Sequence, residues 1–242
     1  MMTTHNDTKN QTENDTANET GNFGPLILAL EASGAHASAA VIQDGTVLAE
    51  MRLDQAHGHA SNFVTLAHDC LKEAGLGFAD ISHVAAGIGP GSFTGLRVCL
   101  SAAKGFVLAG DLVGIGVHGL RAGALAGQEQ GAKGVLIACA DTRRGVYFYQ
   151  SYDESLTALD EIKEGTQEEI ISFADGRTVL FPSFVGNLIE TAFLAEMSAR
   201  HIGLLADRDI RDGARLLPLD ALYVAEPKLG PSKKMPNQMP KG

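Results

Sequence analysis

Long hydrophobic runs are missing from this sequence of 242 residues. Its apolar stretches are interrupted by glycine, charged or polar residues well before the roughly 18 to 20 residues that a membrane-spanning helix requires. We therefore expect a soluble protein without a membrane partner. The length and the 45% hydrophobic content suffice for one large core or two modest cores.

Cysteine is also scarce. Cys70, Cys99 and Cys139 form no Cys-x-x-Cys pair, and each has apolar neighbours in the sequence. Such residues are typical of buried free thiols in a reducing compartment, rather than of disulfides or zinc ligands. The sequence therefore predicts a cytoplasmic protein.

Basic residues are outnumbered, with 19 Lys and Arg against 29 Asp and Glu and a formal net charge of −10. A protein that holds nucleic acid by itself usually carries a basic stripe that neutralises phosphates. We expect this chain to contact nucleic acid only together with a partner.

Both terminal segments of the sequence are predicted to be tails. Residues 1–24 are rich in Asn, Thr, Asp and Glu, and this composition predicts disorder. Asn6, Asn10, Asn14 and Asn18 each begin an Asn-x-Thr triplet, but without a signal peptide these triplets indicate a low-complexity repeat rather than glycosylation. Residues 228–242 are basic and proline-rich, and predict a flexible tail that either touches RNA or an acidic partner, or only aids solubility.

Between the tails, hydrophobic periodicity predicts an α/β protein. Asp44-Gly45 indicates a two-residue hairpin, Ser92 or Thr94 can cap one helix, and Ser61 or Asn62 can cap another. A second hairpin through residues 143–145 suggests that a strand-rich lobe begins again near Val135. The predicted elements are strands at 26–30, 37–42 and 46–49, a helix at 60–74, a strand at 84–88, a helix at 95–109, a strand at 112–117, a helix at 119–127, and strands at 135–140 and 146–149.

The junction at residues 87–97 joins a strand to a helix through four glycines, a proline and two hydroxyls. Its last glycine is followed by Leu96-Arg97 rather than by Lys and Ser or Thr, so it is not a P-loop. The glycine spacing also departs from the Rossmann fingerprint and from the Gly-x-Ser-x-Gly nucleophile elbow. We interpret it as a tight corner in which the glycines serve packing.

The junction also carries a resemblance. Its string Gly-Pro-Gly-Ser-Phe-Thr-Gly-Leu-Arg, with similar blocks at 28–33, 59–61 and 141–147, resembles the TsaB (YeaZ) family over about Leu26 to Pro227. One departure is Tyr223-Val224-Ala225, where the family usually shows Tyr-Leu-Arg. The family-motif residues are Gly89, Pro90, Gly91, Ser92, Phe93, Thr94, Gly95 and Arg97.

This resemblance implies two RNase H-like lobes of the actin-like ATPase (ASKHA) superfamily, at 25–131 and 132–227. It implies a non-catalytic scaffold that activates a TsaD-like subunit, which transfers threonylcarbamoyl to N6 of the adenosine beside the anticodon of ANN-reading tRNAs. Implied partners are TsaD, a TsaE-like ATPase, tRNA through the complex, and a second copy when the chain is alone. Tightly bound cofactors are not expected, because ATP and metal come through partners. The alternative is an ATP-dependent phosphotransferase or hydrolase of the actin-like class.

Three residues are candidates for contact with a cofactor, and none of them has a strong motif around it. Glu31 stands where actin-like ATPases order a metal with Asp. The extra methylene group of Glu displaces the carboxylate, so we expect Glu31 to cap or salt-bridge the end of its strand instead. Ser33 and Arg143 are the other candidates. Arg143 and Arg144 either meet a phosphate or carboxylate, or form a charged hairpin tip with Asp141 accepting turn amides. The group of Asp54, His57, His59 and His68 lacks convincing ligand spacing, and we expect no metal site.

A partner surface is expected on the helices at 60–74 and 95–109. Small residues on an outer helix face permit close approach of a second helix, although the same residues could pack against the sheet. The predicted interface residues are Asn62, Leu66, Arg97, Ser101, Ala102, Gly105 and Ala109.

Overall fold

The computed structural model describes residues 23–34, 36–54, 59–142, 144–182 and 192–224. Both predicted tails lie outside these residues, apart from residues 23 and 24. Within the described part of the chain, two five-stranded sheets and five helices form the fold.

The first sheet contains five strands: β1 Ile27–Glu31, β2 His36–Gln43, β3 Thr46–Asp54, β4 His83–Gly87 and β5 Val113–Val117. Their order in the sheet is β3-β2-β1-β4-β5. The hairpins β1–β2 and β2–β3 are antiparallel, whereas β4 and β5 run parallel to β1. Asp44 and Gly45 both have positive φ angles in the β2–β3 turn, which confirms the predicted hairpin.

The second sheet repeats this plan with the order β10-β9-β6-β7-β8. Its central strand β6 again pairs antiparallel with the next strand and parallel with the strand after the crossover. This duplication is that of two RNase H-like lobes, as predicted. Its strands are β6 Leu136–Asp141, β7 Tyr147–Tyr152, β8 Lys163–Gly165, β9 Thr178–Phe181 and β10 Ala192–Leu194.

Five helices cover the sheets: α1 His59–Glu73, α2 Phe93–Gly110, α3 Gly119–Glu129, α4 Gln167–Ala174 and α5 Ala199–Arg211. Alternate residues of β1 face opposite layers, as the period of a strand requires. Leu28 and Leu30 pack with α1 and α2, whereas Ile27 and Ala29 pack in a core that contains residues of α3 and α5. The predicted buried free thiols are confirmed, because all three cysteines are buried and unpaired.

Two helices do not stay with the lobe that their sequence position suggests. The helix α3 follows the first sheet in sequence but contacts β6, β7 and β9 of the second sheet. The helix α5 follows the second sheet but contacts β1, β2 and β4 of the first sheet. The two helices meet through ion pairs between Arg121 and Asp209 at 2.7 Å and between Arg200 and Glu129 at 2.5 Å. A division of the chain at residue 131 therefore does not separate the two packing units.

Candidate functional site

The glycine-rich junction is a corner between β4 and α2 that wraps around the carboxyl end of β1. The backbone N–H of Ser92 donates to the carbonyl of Ser33 at 2.9 Å. The hydroxyl of Ser92 accepts from the N–H of Gly95 at 3.4 Å and caps α2, as predicted. Because this hydroxyl is engaged as a cap, it is not arranged as a nucleophile.

Three glycines of this corner are required by close contact with Glu31 at the end of β1 and with the two residues that follow it. A Cβ at Gly95 would lie 1.8 Å from the carbonyl oxygen of Ala32, and one at Gly91 would lie 2.7 Å from the Cβ of Ser33. A Cβ at Gly87 would lie 1.8 Å from Oε2 of Glu31. The corner therefore leaves no room for a side chain at these three positions, which confirms the interpretation that its glycines serve packing.

Glu31 ends β1 and is only 1% exposed. Its Oε1 accepts hydrogen bonds from the backbone N–H of Ser33 and, at 2.6 Å, from the Ser33 hydroxyl. Its Oε2 has no hydrogen-bond partner and faces Gly87. Burial raises the pKa of Glu31, because the surroundings disfavour the charged form. The predicted capping role is confirmed, but no ion pair includes Glu31 among the described residues.

A cleft of about 660 Å³, open solvent included, lies between the lobes. Asp141 and Glu196 are its acidic side chains, and Glu196 pairs with His36 at 2.9 Å. No lysine or arginine is among the described lining residues. The lining comprises Ser33, Gly34, Pro90, Gly91, Gly119, Gly123, Cys139, Ala140, Asp141, Pro182, Ala195, Glu196 and Met197.

The resemblance to actin-like ATPases implies a nucleotide with its metal in this cleft, and the described residues do not fit that group. Glu31, at the position of the metal-ordering acid, turns into the protein with one oxygen bound to Ser33 and the other against Gly87. The lining adds two carboxylates and no described cation to offset the charge of phosphates. Ser33 lines the cleft as predicted, whereas Arg143 lies outside the described residues.

Of the predicted histidine group, only the side chain of His68 is described, and its Nδ1 lies 3.3 Å from Oδ1 of Asp69. His59 begins α1, one residue before the predicted start of that helix, but His57 lies outside the described residues and the side chains of Asp54 and His59 are not described. Among the described residues, no group of three His, Cys, Asp or Glu side chains could hold a metal. Because α1 begins at His59, Ser61 and Asn62 lie inside the helix, and the prediction that either caps it is wrong.

The outer face of α2 is exposed and unusually apolar. One line about 22 Å long runs along this face, and its residues follow one another at intervals of four, four, four and three: Phe93, Arg97, Ser101, Gly105 and Leu108. Phe93 is 47% exposed and Leu108 is 86% exposed, while no atom lies within 4 Å of a Cβ built at Gly105. We call the five residues of this line the α2 stripe.

The structure sorts the predicted interface residues into three groups. Arg97, Ser101, Gly105 and Ala109 are exposed, and Ala102 is half-buried against the core of the first sheet. Leu66 is 4% exposed and packs in that core, so its assignment to an outer face is wrong. The side chain of Asn62 is not described. Partner contact by the exposed residues stays a prediction.

Four exposed apolar side chains of this surface were not predicted from the sequence. Phe93 and Leu108 could have been found from helical spacing, because they stand in line with Arg97 and Gly105. Val64 of α1 is 56% exposed and could have been found in the same way, because it directly follows the buried Phe63 and so lies on a different face of the helix. Tyr223 gave none, because it follows the last described element and is placed by tertiary contacts alone.

The length and composition of α2 would also allow it to span a membrane, contrary to the expectation that no segment is apolar enough. Only two of its residues are charged, Arg97 and Lys104. In the fold it packs on the first sheet, with 28% of its residues buried. The unusual feature is therefore the amount of apolar surface that α2 leaves uncovered within the described chain.

Comparison with known proteins shows the family of the chain. The family model of TsaD, the tRNA N6-adenosine threonylcarbamoyltransferase, matches residues 46–192. TsaB of Escherichia coli (strain K12), the tRNA threonylcarbamoyladenosine biosynthesis protein, is 32% identical over 126 residues, 52% of this chain and 54% of that protein. The chain belongs to the family that this model describes, and its relatives include proteins named TsaB.

Other members give the same result. A tRNA N6-adenosine threonylcarbamoyltransferase of Phocaeicola vulgatus is 35% identical over 115 residues, 42% of this chain and 34% of that protein. YeaZ from Pseudomonas aeruginosa superposes with a TM-score of 0.70 at 22% identity, covering 83% of this chain and 100% of that chain. The structural likeness supports the two-lobed fold. The chain spans about half the length of the curated TsaB relatives that it matches.

Proposed function

We propose that this chain is a non-catalytic partner of a TsaD-type transferase in tRNA threonylcarbamoyladenosine biosynthesis. The partner would dock on the outer face of α1 and α2, and the transferase would carry out the chemistry. The names of the relatives supply the pathway, and the α2 stripe supplies the surface.

The α2 stripe is the observation that carries this proposal. Exposed apolar residues at its ends, Phe93 and Leu108, flank the small residues Ser101 and Gly105. A helix with a small middle section allows a second helix to approach closely, and the large apolar ends then bury their area against it. Val64 extends the same apolar character to α1.

The alternative, an ATP-dependent phosphotransferase or hydrolase, has less support. The described cleft offers two acidic side chains and no cation, and Glu31 points away from it. Preorganised charges that stabilise a transferring phosphate are the main requirement of phosphoryl transfer. We therefore propose that ATP and metal act through partner proteins and that this chain holds no cofactor tightly.

Further partners follow from the same proposal. With a net charge of −10, the chain would contact tRNA through the complex rather than alone. A TsaE-like ATPase would join the complex, and without the transferase the α1–α2 face would pair with a second copy of this chain. These steps would take place in the cytoplasm.

Reconstitution of tRNA modification tests the proposal. Full-length chain is mixed with the TsaD-type transferase of its own genome, the TsaE-like ATPase, tRNA, ATP and threonylcarbamoyl-adenylate, and each component is omitted in turn. Modification is expected to require both this chain and the transferase. Turnover of ATP or modification of tRNA by this chain alone would contradict the proposal.

Gly105→Arg then locates the surface. The position is exposed and open, and Arg forms helix better than Gly by about 0.8 kcal/mol, so the fold is retained. The large cation should weaken pairing at least about tenfold, since it blocks the small part of the stripe. Ser172→Arg, on the exposed side of α4, is the matched control and should pair like the original chain.

A further inference from the structure

Three exposed side chains meet at the amino end of α2. The guanidinium carbon of Arg97 lies 3.7 Å from the ring centroid of Phe93, and the rings of Phe93 and Tyr223 are 6.1 Å apart at an angle of 51°. Tyr223 is 55% exposed. We call these three residues the aromatic–arginine patch.

The patch is held in place by the corner beneath it. The N–H of Leu222 donates to the carbonyl of Ile88 at 2.8 Å, and the N–H of Gly116 donates to the carbonyl of Leu217 at 2.8 Å. These bonds fix the last described segment against β5 and the corner, so Tyr223 is brought to Phe93 from more than a hundred residues away in sequence. Phe93 in turn follows directly after the cap residue Ser92.

Arg97 makes no ion pair within the described chain, whereas the other cation of α2, Lys104, pairs with Asp220 at 2.9 Å. A guanidinium that stacks on a ring keeps its planar N–H donors directed outward. Such a group binds a carboxylate through two parallel hydrogen bonds. Arg, Tyr and other aromatic residues are also the types that dominate binding energy at protein interfaces.

We propose that the aromatic–arginine patch binds an aspartate or glutamate on a helix of the partner protein, and that this helix lies along the α2 stripe. The inference rests on the proposed function and names the chemistry of its contact. Because Arg97 is a cation that has no ion pair within the described chain, the group that it binds on the partner is an anion. The rings of Phe93 and Tyr223 exclude water from this ion pair. Beyond Arg97 the stripe continues as small and apolar residues to Leu108, which suits a helix with one acid beside an apolar face.

Nucleic acid is the less favoured occupant. Stacked rings with an arginine can also bind an unpaired base, but such sites lie in a basic groove that follows the phosphates. This chain has a net charge of −10, and the stripe beside the patch offers Ser101, Gly105 and Leu108 rather than cations. The test below separates the two occupants.

The test measures the affinity of the full chain for the TsaD-type transferase by calorimetry at about 0.05 M and about 0.5 M salt. Arg97→Gln should weaken pairing at least about thirtyfold, because the partner's acid loses its counter-charge in a dry interface. The affinity of this variant should also lose most of its salt dependence. Arg97→Lys should weaken pairing about tenfold, because an ammonium cannot stack and bind bidentately in the same way.

The rings are tested separately. Tyr223→Ala should weaken pairing about fivefold or more, and Tyr223→Phe should remain within about twofold, because the ring rather than the hydroxyl shields the ion pair. Lys133→Gln removes one positive charge from an exposed site before the second sheet and is the matched control. Circular dichroism of each variant should match the original chain, since all three patch residues are exposed.

Each outcome decides a different point. If the original chain pairs and Arg97→Gln pairs equally well, the patch proposal is wrong while the proposed function stands. If the original chain does not pair with the transferase at all, both fail. If the Arg97 variant pairs normally but the complex binds tRNA more weakly, the patch contacts nucleic acid and the proposal is overturned.

Discussion

Gly95 and Gly105 lie ten residues apart in the same helix, and their surroundings are opposite. A Cβ at Gly95 would lie 1.8 Å from the backbone carbonyl of Ala32, whereas a Cβ at Gly105 would have no atom within 4 Å. The first glycine serves contact within the chain. The second leaves a smooth, open surface that nothing in the described chain covers, so the inner and outer faces of α2 have separate tasks.

Gly95→Ala should give the largest effect. The added methyl group collides with backbone, which cannot rotate away, so the corner or the helix must shift at a cost of about 3 kcal/mol or more. Urea unfolding of the variant measures this loss. A variant as stable as the original chain would show that the corner is loosely packed and would remove the contrast between the two glycines.

Glu31→Gln should change how stability depends on pH. Burial raises the folded-state pKa of Glu31, so the folded protein holds a proton that the unfolded chain releases near the ordinary carboxyl range. The stability contributed by that proton is present at low pH and is lost as pH rises through the folded-state pKa.

Glutamine cannot titrate, and its oxygen can still accept from Ser33. The stability of Glu31→Gln relative to the original chain should therefore increase as pH rises above the ordinary carboxyl range, measured by urea unfolding at each pH. Glu73→Gln, at an exposed position near the end of α1, is the control and should follow the original chain. Parallel pH profiles for Glu31→Gln and the original chain would contradict the buried state of Glu31.

Gly105→Ala should stabilise the chain by about 0.5 to 1 kcal/mol. Alanine forms helix better than glycine, and the position has open space around it. Thermal unfolding of this variant beside Gly95→Ala gives the comparison directly. Loss of stability at both positions would mean that the outer face of α2 is also packed within the chain.

Leu108→Ser should have the smallest effect on stability, within about 0.5 kcal/mol, because the side chain is already 86% exposed. The same change should weaken pairing with the transferase, since an apolar end of the stripe is lost. Stability and pairing are read from the same preparation by unfolding and by calorimetry. A large loss of stability would assign Leu108 to the fold instead of to a partner.

Local patterns predicted most of the strands and helices. The Asp44-Gly45 turn, the period of α2 and its Ser92 cap are encoded within a few residues of each element. The positions of α3 and α5 on each other's sheets were not predicted, because helix periodicity shows which face is apolar but not which sheet it covers. The same limit applies to Leu66, whose burial is decided by the direction in which α1 packs.

The candidate site was predicted in outline. The glycines of the corner were recognised from their density, and their contacts with Glu31, Ala32 and Ser33 required the three-dimensional arrangement. Arg97 was expected on the outer face of α2 from helical spacing. Its stacking on Phe93 and the approach of Tyr223 depend on a chain segment that returns from the end of the second lobe, and no local pattern encodes such a return.

Hydrogen exchange of the original chain with and without the TsaD-type transferase shows where the partner docks. We expect slower exchange in peptides that cover α1 and α2 and in the segment ending at Tyr223, with no change at the strand ends that line the cleft. Protection confined to the cleft, with α1 and α2 unchanged, would contradict this expectation.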